Sequence, residues 1–241
     1  MSNERTANEL KHAEAVREMF SGIATKYDFL NHFLSVNIDK KWRRLVSEKL
    51  KSVLENPAAL VLDVACGTGD LSLELQKNAR AKVVGTDFCR PMLAVAFDKN
   101  AKVETKIPYV EADGMNLSFA DETFDAVTIA FGLRNFSNWQ NGLIELRRVL
   151  KTGGKLVILE FSTPLVPGFR QAFQFYFSNI LPRIGGAVSG SRGAYEYLPD
   201  SVSRFPDQKN LAKMMTETSF SDVEYKNLTG GIAAIHSGVK L

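Results

Sequence analysis

The sequence predicts an α/β fold, a doubly wound parallel sheet that ends in an antiparallel hairpin. Three observations carry this. Between residues 58 and 161, apolar runs of strand length alternate with segments of helical periodicity. That alternation is the pattern of a parallel sheet covered on both faces. The first run ends in a glycine-rich turn, "DVACGTGD" (63–70). The last two strand-like runs, "FSDVEYKNL" and "GIAAIHSGV", are joined through Thr229, Gly230 and Gly231. No crossover helix fits in that connection, so the two must pair antiparallel.

The elements follow in order. Residues 1–55 read as a helical N-terminal cap. "AALVLDVA" is the first strand and "LSLELQKN" the helix after its glycine turn. "AKVVGTD" is the second strand, and "RPMLAVAFDKN" a helix with Pro91 in its first turn. "KIPYVEAD" and "FDAVTIAF" are strands three and four. "WQNGLIELRRVL" carries apolar residues at helical spacing, and "TGGKLVILEF" is a turn and a fifth strand. Right-handed crossovers make the arrangement doubly wound. Residues 56–162 form the core, 163–206 an insertion, and 207–241 a helix followed by the hairpin. The whole is expected to be a single domain, since 241 residues suffice for one full core.

Composition excludes several classes. Hydrophobic content of 45% and charged content of 24% fit an ordinary soluble globular protein. A net charge of +3 does not call for a nucleic-acid partner. "MSNERTANELKHAEAV" is too polar for a secretory signal, and no apolar run reaches the length of a membrane span. Cys66 and Cys89 give no disulfide framework, fit a reducing cytoplasm, and read as packing residues. Nothing suggests a metal site.

In open α/β sheets ligands bind at the carboxyl ends of the strands, so the residues just after each strand are informative. After strand one, Gly67 and Gly69 allow close backbone approach, Thr68 offers a hydroxyl, and the next helix's amides favour a carboxylate. A dinucleotide loop would carry a third glycine where Ser72 stands, and a P-loop lysine is missing. After strand two comes Asp87, placed to grip ribose hydroxyls. After strand three come Asp113, Gly114 and Met115, where an acid can accept from an adenine amino group. After strand four, "AFGLRNF" offers Arg134 and Asn135.

This pattern resembles the class I S-adenosylmethionine-dependent methyltransferases. The resemblance implies a seven-stranded sheet of order 3-2-1-4-5-7-6 with strand seven antiparallel. It also implies S-adenosyl-L-methionine as cofactor. Asp63 and the 65–69 loop (Ala65, Gly67, Thr68, Gly69) would face its methionine end. Asp87 would hold the ribose, Phe88 and Met92 would flank the adenine, and Asp113 with Gly114 would meet the adenine edge. Ala65 stands where many members carry glycine, and Ala130 where many carry a serine near the cofactor.

Two longer stretches, "KYDFLNHFLSVNIDKKWRR" (26–44) and "RRVLKTGGKLVILEFS" (147–162), resemble the signatures of the ubiquinone/menaquinone biosynthesis C-methyltransferases. "GLRNF", "YEYLPDSVSRFP" and "GGIAAIHSG" agree, so the resemblance runs from about residue 17 onward. Leu30, Asp39 and Thr152 depart from the usual methionine, histidine and proline. Asp39 removes any base that a histidine there could supply. The implied reaction is transfer of a methyl group to a ring carbon of a polyprenylated quinol. Leu30 and Asp39 favour demethylmenaquinol, giving menaquinone. A 2-polyprenyl-6-methoxy-1,4-benzoquinol acceptor, giving ubiquinone, and a non-catalytic cofactor-binding scaffold subunit stay open. An RNA or protein-amine methyltransferase is disfavoured, because strand four does not end in an Asn-Pro-Pro-aromatic clamp.

The catalytic candidates are Arg134, Asn135 and Tyr27. A guanidinium beside the acceptor would favour the phenolate that makes the ring nucleophilic. The plainer alternative is that Arg134 binds the end of a strand or pairs with Asp113. Tyr27 and Asn31 share a helical face and would line the acceptor pocket or form a lid. His236 reads as packed and hydrogen-bonded, and His12 and His32 as solvent-facing. "DKKWRRLVSEKLK" (39–51) is either a solvated face or a contact for acidic lipid headgroups. In "PGFRQAFQFYFSNILPRIGG" (167–186), Phe169, Phe173 and Phe177 recur every four residues, and with Phe175 and Tyr176 offer an apolar wall to a prenyl tail. Tyr195, Tyr197, Ser201 and Arg204 are candidate substrate contacts. The partners expected are the quinol, with no nucleic acid; a peripheral membrane contact at the inner face and a homodimer stay open.

Overall fold

The computed structural model describes residues 6–28, 35, 37–77, 79–165, 167–176, 179 and 192–241. Leu30, Asn31, His32 and Phe177, and the side chains of Phe169 and Tyr195, lie outside the described residues. Seven strands form one sheet: β1 Leu60–Val64, β2 Lys82–Asp87, β3 Tyr109–Glu111, β4 Phe124–Ala130, β5 Leu150–Phe161, β6 Phe220–Leu228 and β7 Ala233–Lys240. Their order is β3-β2-β1-β4-β5-β7-β6. The pairs β1–β2, β1–β4, β2–β3 and β4–β5 are parallel, and β7 runs antiparallel to both β5 and β6. The order and the reversed strand are those the class I methyltransferase resemblance implies.

Helices cover both faces because the strands are apolar on both. In β1, Val61 packs on one side and Leu62 with Val64 on the other. The first side is covered by α2 (Ile38–Lys49), α4 (Asp70–Gln76) and α5 (Arg90–Asn100), through Val46, Leu71, Leu75, Leu93 and Ala96. Between α2 and β1 lies the short α3 (Lys51–Leu54). The second side is covered by α6 (Trp139–Val149) and α9 (Gln208–Glu217), through Leu143, Leu146, Leu211 and Met215. Burying a Leu or Val side chain contributes about 1.5–3 kcal/mol, so the two clusters supply much of the folding drive. Outside this sandwich lie α1 (Ala7–Ile23), α7 (Pro167–Phe175) and α8 (Arg192–Arg204). They pack on each other through Met19, Phe20, Ile23, Phe173, Leu198 and Val202.

Two elements differ from the sequence reading. β3 is shorter than "KIPYVEAD": Pro108 has no N–H for the ladder, and Asp113 already lies in a turn. The expected turn at 152–154 is built into β5 as a register shift, where Phe124 pairs with Leu150 but Ala126 with Lys155, and Gly153 absorbs it at φ 79°.

The basic segment is also only partly a surface. Trp42 and Arg43 are buried. The Trp42 indole N–H donates to the Thr229 hydroxyl at 3.1 Å and its ring lies 6.0 Å from Phe131. The tryptophan is therefore not available to a lipid surface, while Lys40, Lys41 and Arg44 are exposed. Among the described residues no helix is long and apolar enough to cross a membrane.

Gly69 caps α4 at φ 82°, and a Cβ there would run into the Tyr109 hydroxyl. Gly69→Ala is expected to cost roughly 1–3 kcal/mol from positive φ and crowding together. Tyr109→Phe in the same chain should recover part of that loss. Thermal melts of both variants check this, and an unchanged midpoint for Gly69→Ala would remove the argument.

Candidate active site

The carboxyl ends of β1, β2 and β4 and the turn after β3 open into one cleft. Counted out to its mouth, it encloses about 980 Å³. Tyr27, Asp63, Ala65, Gly67, Thr68, Asp87, Phe88, Met92, Asp113, Gly114, Ala130 and Asn135 all line it. Of the sequence-named site residues, Gly69 sits just behind the lining as the cap of α4, and Arg134 is not part of it. The wall opposite the sheet is supplied by α1 and the residues after it, through Ala13, Phe20 and Tyr27. Phe20 and Tyr27 meet edge to face at 5.9 Å, and the Arg17 guanidinium lies 5.3 Å from the Phe88 ring centre.

The glycine loop is held in place by the acid after β2. Asp87 accepts from the Gly67 and Cys89 amides, each at 2.8 Å. The loop backbone turns left-handed at Ala65 (φ 51°) and Gly67 (φ 56°). A Cβ on Gly67 would find only the Met92 methyl, 3.9 Å away, so the loop presents bare backbone to the cleft. Asp63 accepts from the Ser72 hydroxyl at 2.6 Å and the Thr128 hydroxyl at 2.9 Å. This explains Ser72 where a dinucleotide loop has glycine: its hydroxyl satisfies a buried acid. Burial pushes both Asp63 and Asp87 up to about 6. It also pushes the Cys66 and Cys89 thiols up, which keeps them unreactive.

The cleft suits S-adenosylmethionine. The bare loop offers amides to a carboxylate, the two buried acids can accept from hydroxyl or ammonium donors, and Phe88, Met92 and Phe136 offer apolar faces to a purine.

Arg134 lies in the 3₁₀ turn Leu133–Asn135 after β4 and is 7% exposed. Its Nη1 donates to Glu160 at 2.9 Å and to the Phe131 carbonyl, and its guanidinium lies 5.3 Å from the Phe161 ring centre. Its partner is thus Glu160, at the end of β5, and not Asp113. Asp113 instead accepts from the Met115 amide at 2.9 Å and shapes its own turn. The Arg134 Nε is buried without a partner among the described residues. Arg134 lines a second recess, of about 620 Å³ counted the same way, together with Asn8, His12, Ser201 and Arg204. This recess gathers three residues the sequence named as acceptor contacts. The Ser201 hydroxyl donates to the Leu198 carbonyl at 3.0 Å, and Arg204 pairs with Asp200.

Asn135 lies in the cleft lining, and its side chain reaches towards the insertion. Its Oδ1 accepts from the Tyr197 hydroxyl at 3.1 Å and its Nδ2 donates to the Phe131 carbonyl at 3.4 Å. Its main-chain carbonyl meets His12 Nε2 at 3.2 Å. His12, expected to face solvent, is half-buried because α1 lies against this turn. His236 is buried on β7 with Nε2 bonded to the Gln208 carbonyl at 2.8 Å, and burial pushes its pKa down to about 4.

Comparison with known proteins decides the family. The model of the ubiE/COQ5 methyltransferase family matches residues 6–240. The chain belongs to the ubiE/COQ5 methyltransferase family. A demethylmenaquinone methyltransferase from Thermus thermophilus is 48% identical, over 91% of this chain and 99% of that protein. One from Deinococcus radiodurans is 46% identical, over 94% and 93%. A ubiquinone/menaquinone biosynthesis C-methyltransferase from Geobacter is also 46% identical, over 94% and 97%. A solved S-adenosylmethionine-dependent methyltransferase from Thermotoga maritima shares the fold, with TM-score 0.63, 15% identity, and 93% and 99% coverage. This member of the ubiE/COQ5 family is therefore a methyltransferase, with S-adenosyl-L-methionine as its cofactor.

In this ubiE/COQ5 methyltransferase, several cleft contacts were not readable beforehand. Thr68 donates to Asp28, Lys99 bonds Asp28 at 2.9 Å and Thr68 at 3.2 Å, and Lys99 also pairs with Asp70. This network ties the segment after α1 to the glycine loop. Asp39 is buried, accepts from Ser35 at 2.6 Å and pairs with Arg43, which reaches Asp70 at 3.5 Å. The acid that stands in place of histidine is thus part of an ion pair behind the loop. Glu160 was missed although the strand-end rule that located Asp87 points to it equally.

Proposed function

We propose that this ubiE/COQ5 methyltransferase methylates a ring carbon of demethylmenaquinol to give menaquinol. One observation carries the geometric side of this reading. The turn after β4 puts Asn135 in the lining of the cofactor cleft and its neighbour Arg134 in the adjoining recess, with the Nε–H buried and without a partner among the described residues. A buried donor in this state calls for an acceptor, and we assign a phenolic oxygen to it.

The cofactor, when bound, supplies an electrophilic methyl group on a sulfonium. Asp87 would accept from its ribose hydroxyls, Asp63 and the 65–69 loop would face its methionine end, Phe88 and Met92 would flank its adenine, and Asp113 with Gly114 would meet the adenine edge. The acceptor carbon is the weak partner. A phenol with a pKa near ~10 is rarely ionised at neutral pH, so little charge enters the ring. Arg134 Nε–H donates to that oxygen and favours the anion. One such donor contributes roughly 2.7–4 kcal/mol to the barrier. Asn135, fixed by Tyr197, has a second N–H for the same oxygen. Tyr27 lines the mouth of the cleft and helps keep water out.

Incubating the enzyme with reduced naphthoquinol and benzoquinol acceptors and methyl-labelled cofactor tests the reading. Faster labelling of the naphthoquinol is expected; labelling of the benzoquinol alone would move the chain to ubiquinone synthesis, and labelling of neither would favour the scaffold reading. The prenyl tail is assigned to the α7 side. Phe173 packs against α1 and α8, so it is part of the core there, whereas Phe175 is 62% exposed. Phe175→Asp is expected to lower kcat/KM for long-chain acceptors several-fold more than for short-chain ones. Equal effects on both would detach this face from the tail, and from contact with the membrane where such tails reside.

A further inference from the structure

We propose that Glu160 is a positioning residue that turns Arg134 from an open charge into a directional donor, so that one site serves both a cationic cofactor and an anionic acceptor. The acceptor half of this rests on the quinol reading above; the cofactor half does not.

The observations concern charge and reach. Glu160 is 1% exposed. Its Oε1 accepts from Arg134 Nη1 at 2.9 Å and from the Phe161 amide at 2.8 Å, while its Oε2 faces the Arg134 main-chain amide at 3.3 Å. The carboxylate thus grips both the backbone and the side chain of the arginine. On the neighbouring strand it is paired with Ala234, which adds no charge. The titratable groups around the pair are Glu9 and His12 from α1 and Tyr197, Asp200 and Arg204 from α8. Asp200 and Arg204 neutralise each other.

Arg134 adjoins Asn135, which lines the cofactor cleft. An uncompensated guanidinium there would repel the sulfonium, and burial would let that repulsion act with little screening. Pairing with Glu160 converts the single charge into a dipole, whose field falls off faster with distance. Glu160 and the Phe131 carbonyl engage only Nη1, which leaves the Nε–H as a donor without a partner among the described residues. The pair is therefore nearly silent toward the cofactor's charge and fully effective toward an oxygen in contact.

The test compares two ligands that differ by one charge: S-adenosylmethionine and its demethylated product S-adenosylhomocysteine, neutral at sulfur. In Glu160→Gln the arginine keeps a neighbour of the same shape but loses its counter-charge. Calorimetry is expected to show the sulfonium ligand bound on the order of three- to tenfold more weakly, with the neutral ligand unchanged. The rising limb of the pH–rate profile with a short-chain quinol should move about one unit toward acid, because the bare guanidinium favours phenolate more strongly. Glu160→Asp keeps the charge and loses reach, so it should keep the wild-type ligand ratio and lose turnover. His12→Gln should leave the limb in place. If Glu160→Gln does not fold, the double variant Arg134→Met/Glu160→Met removes both charges and should keep the wild-type ratio. Equal weakening of both ligands, no weakening of either, or a changed ratio in the double variant overturns the proposal. A shifted ligand ratio without turnover of any quinol would sustain the cofactor half and overturn the acceptor reading.

Discussion

Arg134→Ala is expected to lower kcat by roughly 10²–10³ while leaving cofactor affinity undiminished. The reasoning is electrostatic: a guanidinium cannot help bind a sulfonium, but it can help an oxyanion form. Removing it should also move the pH–rate profile toward alkali, opposite to Glu160→Gln, since more hydroxide is needed to generate phenolate. Arg134→Lys should rescue only in part, because a flexible ammonium cannot serve Glu160 and an acceptor oxygen in fixed directions. The structure adds a second consequence. Glu160 would be left buried without its partner, at a cost of about 3–5 kcal/mol. Burial already holds the Glu160 carboxyl above its ordinary range while Arg134 opposes that rise. Without Arg134 the carboxyl must take up a proton on folding. A raised folded pKa stabilises below the unfolded value and loses that contribution as pH rises. The melting gap between variant and wild type should therefore narrow as pH falls into the ordinary carboxyl range. Steady-state kinetics from pH 6 to 10, with calorimetry and melts, measure all of this. A normal rate with an unshifted profile would leave Arg134 as a strand clamp only.

Asp87→Ala is expected to weaken cofactor binding by roughly 10–100-fold, the equivalent of losing about 1.5–3 kcal/mol of charged hydrogen bonding. Part of the loss arises in the loop, because Asp87 also holds the Gly67 amide. The wild type should show the same dependence on the carboxylate through pH. With Asp87 titrating at about 6, affinity should be full above that value and decline as pH falls through it. Folding stability of the ligand-free protein should move the other way. The folded acid binds its proton more tightly than the unfolded one, so stability falls as pH rises from the ordinary value of 3.8 to about 6. Calorimetry across pH 5 to 8 decides; an affinity that is flat with pH and unchanged in the variant would remove Asp87 from the site.

Much of the cleft was legible because it is built from residues next to strand ends. Asp63, Asp87 and Asp113 were found by walking along strands whose ends could be seen, and all line one cavity. α5 and β6 begin and end where their sequence patterns do. The pairings were not legible. Arg134 was read as facing the acceptor, or else as binding a strand end or Asp113, without a view of Glu160, which holds it, and His12 was read as exposed although it meets Asn135 from 123 residues away. Trp42 sits in the most basic stretch of the chain and is buried all the same, because Thr229 supplies a partner for its N–H.

The sequence by itself determined the order of the core strands, the helices between them, the reversed last strand and the edge of the sheet where a ligand must bind. These follow from the spacing of apolar residues, from glycines at sharp turns, and from a connection too short to cross the sheet, all of which are local properties. Only the tertiary structure decided which charge meets which. The partner of a buried arginine is whichever acid the register of distant strands brings within about 3 Å, and burial then shifts both groups because water is no longer there to solvate them. That register is set by packing of the whole sheet, so no stretch around residue 134 contains it.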